Sequence, residues 1–197
     1  MAVKRAKLFN KDSFHGFLPA ENKDFEKEIL RNFEYIRRGD AEIDEHYKQP
    51  IGYGVLMDIR ENKVFAYKRA EKDEDYKEKR LQGNWSWGVG GHVDESERHK
   101  KNPVTASLLR EIEEEVLVEG SIDRLRIMGY INDDSDPVGR VHFGILYLVE
   151  ISGGVSPKAS EMSEGEMRKV EELREISKKE KVEKWSEIAL ERLKHTI

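Results

Sequence analysis

The chain has 197 residues, of which 37% are hydrophobic and 38% charged, with a net charge of −5 and no cysteine. That length suits one domain with extensions, or at most two small ones, and the apolar share is enough for a core. A disulfide framework, a thiolate metal site and a thiol nucleophile are excluded, and the negative balance disfavours nucleic-acid binding through a general basic field.

Lys and Glu dominate the charged residues, and glutamine occurs only at Gln49 and Gln82, a balance that resembles thermophile usage. The N-terminal MAVKRAKLFN is basic but no apolar core follows it, so it does not read as a signal peptide. The longest apolar run, around Phe143 to Val149, is too short to span a bilayer. A soluble cytoplasmic protein with no membrane or nucleic-acid partner is expected.

Residues 1–48 read as an N-terminal extension packing on a core domain over 49–197. Within the extension, Lys23 to Arg37 sets Phe25, Ile29, Leu30, Phe33 and Ile36 at helical spacing. IGYGVLMDI (51–59) and KVFAYKR (63–69) read as two strands joined at Arg60-Glu61-Asn62. A charged loop, Glu71 to Asn84, follows and is the natural place for substrate selection. WSWGVGG (85–91) reads as a strand running into a glycine turn.

A helix then opens with Asn102 as N-cap and Pro103 at its first position, with Ala106, Leu109, Ile112 and Val116 as its buried stripe and Gly120 beyond its end. RLRIMGYIND (124–133) and GRVHFGILYLVEI (139–151) read as a hairpin bridged by Asp134 to Val138. EMRKVEELREI (166–176) reads as a strand and a short turn, and 181–197 as an amphipathic terminal helix. Strands, then a helix, then strands predict an α/β or α+β fold, a mixed sheet between packed helices.

The helix concentrates carboxylates. Glu111, Glu114 and Glu115 are at i, i+3 and i+4 and project from one side, while Glu113 points elsewhere into solvent. Most acidic helix runs are solvated faces. Here Arg110 precedes the acids, Glu97 adds another carboxylate, and Gly90-Gly91 lets backbone carbonyls approach a ligand. Hard oxygen ligands of this kind suit Mg²⁺ or Mn²⁺ rather than Zn²⁺.

Those residues resemble the Nudix (MutT-like) box, G-x5-E-x7-R-E-U-x-E-E-x-G-U with U bulky and apolar. Gly91 and Glu97 match its first part, Arg110, Glu111, Ile112, Glu114 and Glu115 its centre, and Val118 its last position. Two departures stand out: twelve residues rather than seven separate Glu97 from Arg110, and Leu117 replaces the late glycine. The flanking AEIDEHYKQPIGYGVL and EKRLQGNWSWGVGGHVD resemble a branch described as predicted phosphoesterases.

The resemblance implies an α/β/α Nudix fold and a hydrolase. It would cleave a pyrophosphate bond in a nucleoside diphosphate linked to another moiety, by metal-activated attack of water on phosphorus. On the matching positions it implies Glu114 and Glu115 as metal ligands, Glu111 as ligand or general base, the Gly91 carbonyl as a further ligand and Glu97 as a supporting acid. Arg110 would orient the glutamates.

Lys68, Arg69, Trp87 and His92 are candidates for substrate contact, the first three with a bland alternative: solvated strand-end cations for Lys68 and Arg69, a core aromatic for Trp87. His142 reads as a packed strand histidine. Glu161, Glu164 and Glu166 lie in a later segment that could reach the site or be solvated. A homodimer is possible in this fold. The alternative function is a non-catalytic Nudix-fold nucleotide sensor. An isoprenoid diphosphate isomerase on the same fold is disfavoured because that chemistry uses a cysteine.

Overall fold

The computed structural model describes residues 1–70 and 81–193. Its elements are β1 (Ala2–Lys4), α1 (Arg5–Phe9), β2 (Gly16–Pro19), α2 (Phe25–Asn32), β3 (Phe33–Glu34), α3 (Arg38–Ala41), β4 (Tyr47–Asp58), β5 (Lys63–Arg69) and β6 (Trp85–Ser86). After them come α4 (Pro103–Glu115), β7 (Val116–Val118), β8 (Ser121–Asn132), α5 (Pro137–Val141), β9 (His142–Ser152), β10 (Val155–Pro157), β11 (Met162–Lys169), α6 (Val170–Lys179) and α7 (Lys184–Leu193). The main sheet runs β11-β5-β4-β9-β8-β2 in hydrogen-bonded order, and β7 with β10 forms a separate antiparallel pair.

Two compact units divide the chain: Met1–Tyr53 with Gly90–Arg110 and Ile127–Tyr147, and Gly54–Val89 with Glu111–Arg126 and Leu148–Ile197.

In the first unit β1 pairs antiparallel with β3 and with the start of β4, and β2 pairs with the end of β8. Phe25, Tyr130 and Phe143 pack ring against ring within it, at centroid distances of 5.2 to 5.9 Å. α4 lies close to β4 because Gly52 has no side chain: a Cβ there would sit 3.1 Å from that of Leu108 and 3.2 Å from the Val104 carbonyl. Gly90 is tighter still, since its Cβ would fall 1.9 Å from the Gly52 carbonyl oxygen. That contact admits only glycine and sets the turn that leads to α4.

In the second unit β4 turns into β5 through Asp58, whose Oδ1 accepts the amides of Arg60 and Glu61 at 3.0 and 3.1 Å. Asn62 closes that turn at φ 53°. Val64 to Tyr67 of β5 are buried throughout, as a strand covered on both faces requires. β11 pairs with β5 across a register shift between Ser163 and Glu166, where Glu164 has φ 51°.

Several expectations need correcting. The helix expected over Lys23 to Arg37 stops at Asn32, because Phe33 turns extended and pairs with Val3. The strand expected over 85–91 is a two-residue ladder followed by isolated bridges at Val89 and His92, since the glycines break it. The bridge of the second hairpin is a helical turn, α5, capped by Asp136 through the Gly139 amide at 2.8 Å. A ten-residue helix, α6, replaces the short turn expected after β11. In α4 the buried stripe is Val104, Leu108 and Ile112, and Leu109 is 41% exposed. The terminal helix is described over Lys184–Leu193, so the end of the 181–197 expectation and most of the Glu71 to Asn84 loop lie outside the described residues.

Candidate active site

α4 begins as its first residues dictate. Asn102 Oδ1 accepts the amides of Val104 and Thr105 at 3.1 and 3.2 Å, so two otherwise unpaired N–H groups are satisfied. The Asn102 amide group in turn donates to Glu26 Oε1 at 2.8 Å, which also accepts the Tyr147 hydroxyl at 2.7 Å.

Immediately before the acids, Arg110 donates through Nε to Glu97 Oε1 at 2.8 Å and through Nη2 to the His92 carbonyl at 3.2 Å. Glu97 Oε2 accepts the Asp94 amide at 2.7 Å. Burial pushes the Glu97 carboxyl up, but the Arg110 hydrogen bond and charge outweigh it and hold the group below its ordinary value. Glu97, expected as a supporting acid or metal ligand, accepts one hydrogen bond on each oxygen and anchors Arg110. Gly91 is half-buried in the same turn.

The acids close α4 in the second unit. Glu113 and Glu114 are exposed, Glu111 and Glu115 half-buried. Glu115 is the last residue of the helix, and its carbonyl accepts the amides of Lys158 and Ala159 at 2.8 and 3.1 Å. Its carboxyl is pushed up to about 7, first by burial and then by Glu111, with Arg69 opposing and Glu161 and Glu114 adding. Of the three later glutamates, Glu161 is the one that bears on this carboxyl. Glu164 is exposed, and exposed Glu166 pairs with Arg168. Among the described residues no three His, Cys, Asp or Glu side chains are gathered closely enough to hold a metal as they stand.

Lys68 is half-buried at the end of β5, and its carbonyl accepts the Ser163 hydroxyl at 2.9 Å. Arg69 stacks over Tyr67 and pairs with Glu183 at 2.8 Å. Trp87, a candidate for substrate contact, is 1% exposed, and both its backbone N–H and its indole N–H donate to Ser186. The core fate, common for strand aromatics, applies.

His92 is neutral. Burial, then Arg38 and His142, lower it to about 3. Its Nε2 lies 3.0 Å from His142 Nε2. Sequence reasoning missed Glu183, which is 8% exposed and accepts from Arg69 and from the Ser86 hydroxyl. It stands immediately before α7, and nothing in its local pattern distinguishes it from Glu187 and Glu191 of that helix.

A mixed α/β fold with an acidic helix following a Gly-Gly turn defines a class, and comparison with known proteins specifies it. The NUDIX domain family matches residues 48–193. Protein YmaB of Bacillus subtilis (strain 168) is 34% identical over 200 residues, covering 97% of this chain and 95% of its own. The crystal structure of Tm1382, assigned to the Nudix hydrolases, superposes with a TM-score of 0.81 at 30% identity, over 100% of this chain and 98% of that one. The NUDIX domain of Shewanella oneidensis NrtR, crystallised with ADP-ribose, shares the fold at a TM-score of 0.55 and 14% identity, over 86% and 97%.

The chain belongs to the Nudix family, and its enzymatic class is that of the Nudix pyrophosphohydrolases. No helix among the described residues is long and apolar enough to cross a membrane.

Proposed function

We propose that this Nudix hydrolase uses Mg²⁺ or Mn²⁺ to cleave the pyrophosphate bond of a nucleoside diphosphate derivative, with Glu111, Glu114 and Glu115 as the metal-holding residues. The observation that carries it is Glu115, a half-buried carboxylate at a helix end whose charge is opposed by Glu111, Glu114 and Glu161. A carboxylate so placed takes up either a proton or a cation. The donor set is all oxygen, which fits a hard divalent ion.

Gly91 enters as a carbonyl ligand through the family resemblance alone. When bound, the ion supplies charge neutralisation for phosphate oxygens and lowers the pKa of a water.

The chain's own residues supply the rest. Glu111, half-buried one turn before Glu115, is placed to hold the ion or to accept the proton of the attacking water. Arg69 offsets the negative charge at Glu115, and its tie to Glu183 fixes where that offset acts. Lys68, the neighbouring cation at the end of β5, is the candidate for a substrate phosphate. Arg110 is a positioning residue, locked to Glu97 and to the backbone ahead of the helix.

The test incubates the protein with Mg²⁺ or Mn²⁺ and nucleotide sugars, dinucleoside polyphosphates, ADP-ribose, NADH or oxidised nucleoside triphosphates, reading released phosphate directly or after phosphatase. Metal-dependent release that is lost in Glu115→Gln is expected. Full activity in that variant overturns the assignment of the acids. Ligand binding without turnover under any divalent metal favours a sensor.

A further inference from the structure

A cavity of about 330 Å³ opens in the first unit, lined by Tyr35, Arg37, Arg38, Gln49, His92 and Arg98 and by none of the α4 acids. Its floor is polar and fixed. Gln49 is 3% exposed, with its amide nitrogen 3.4 Å from His142 Nε2. His142 Nδ1 faces the Val138 carbonyl at 2.8 Å, and since a carbonyl only accepts, that nitrogen carries the proton. His142 Nε2 and His92 Nε2 meet at 3.0 Å, one donating to the other. The floor thus offers an amide and an imidazole ring, groups that read the edge of a planar heterocycle.

The wall and rim add two further features. The Arg98 guanidinium stacks on the Tyr35 ring at 4.8 Å, and the Tyr35 hydroxyl is buried without a hydrogen-bond partner. A buried hydroxyl in that state is destabilising until a ligand or water atom meets it. Arg37, Arg38 and Arg98 pair with Asp40, Glu42 and Glu95, at 2.8, 2.7 and 3.0 Å. These are exposed pairs of adjacent helical turns, worth little in water, so a phosphate competes for them readily. Asp94 and Glu95 also reach the cavity, so acids and the three arginines share its lining.

We propose that this cavity is a second binding site, for a nucleoside monophosphate, with the base between Tyr35 and the Gln49–His92 floor and the phosphate on the arginine rim. Its size is at the lower end of small-ligand sites. The site requires no metal and does not rest on the hydrolase mechanism.

Isothermal calorimetry in EDTA tests it, with AMP, GMP, CMP and UMP against adenosine and inorganic phosphate. One or more of the nucleotides should bind wild type and Glu115→Gln with the same Kd. Arg98→Gln and Arg38→Gln should each weaken binding by about tenfold or more, and adenosine or phosphate alone should bind at least about tenfold more weakly. Both arginines are exposed, so these variants keep the fold, which circular dichroism checks. Four outcomes overturn the proposal: no nucleotide binds; binding needs metal or disappears in Glu115→Gln; neither arginine matters; or phosphate binds as tightly as the nucleotide, which reduces the cavity to an anion site.

Discussion

Glu97 and Glu115 stand before and at the end of the same helix, and their surroundings treat them in opposite ways. Glu97 is 4% exposed yet comfortable as an anion, because Arg110 and the Asp94 amide meet both of its oxygens. Glu115 is less buried and uncomfortable, because its neighbours are mainly other carboxylates. Burial alone does not decide a carboxylate's state; the identity of the partners does. The first arrangement is complete in the protein itself; the second leaves a repulsion that a cation would relieve.

The largest effect should separate the two. Glu115→Gln is expected to reduce metal-dependent hydrolysis by at least about 100-fold while leaving the metal-free fold intact, measured by turnover and by thermal melting. Arg110→Met should instead attack the fold, by leaving Glu97 buried without its cation, at a cost on the order of 3 kcal/mol in denaturant unfolding. Adding Glu97→Gln to that variant should recover part of the loss; no recovery would mean that the Glu97–Arg110 pair is not what the single change broke.

A pH series sharpens the contrast. Glu115 is raised from 4.5 to about 7, so between those values the native state keeps a proton that the unfolded chain has released. Its contribution is therefore present at low pH and is lost as pH rises through about 7, by roughly 2 kcal/mol after allowance for partial exposure. Glu97, lowered in the fold, has the opposite sign and loses its contribution on acidification. Mg²⁺ should raise the melting temperature more at pH 8 than at pH 5, and Glu115→Gln should remove that difference.

The smallest effect concerns the departure from the box. Leu117→Gly should cost only about 1 kcal/mol and leave turnover unchanged, because Leu117 is 47% exposed in a strand opposite Ser156.

The sequence made the helix legible. Asn102, Pro103 and the spacing of the glutamates follow from local rules, and the family pattern added Glu97 and Arg110 as partners of the acids. β5 was legible to the residue, because a run of buried apolar residues bounded by a turn has few other solutions. What stayed hidden depends on distant pairing. α2 ends early because β1 claims Phe33. Leu109 is exposed because Gly52 selects which face of α4 comes close. Trp87 is buried by Ser186, some hundred positions along the chain. The cavity at Tyr35 joins residues from four separate segments, and the part of the box that runs through the last of them gives no sign of it.

The Glu115 carbonyl holds the amides of Lys158 and Ala159, and Glu161 follows two residues later. Those two amides are natural probes of the acidic end of α4. Their hydrogen-exchange rates should slow when the carboxylates are occupied and quicken when they repel, so the state of the site can be followed on the unlabelled, unmodified protein without any substrate at all.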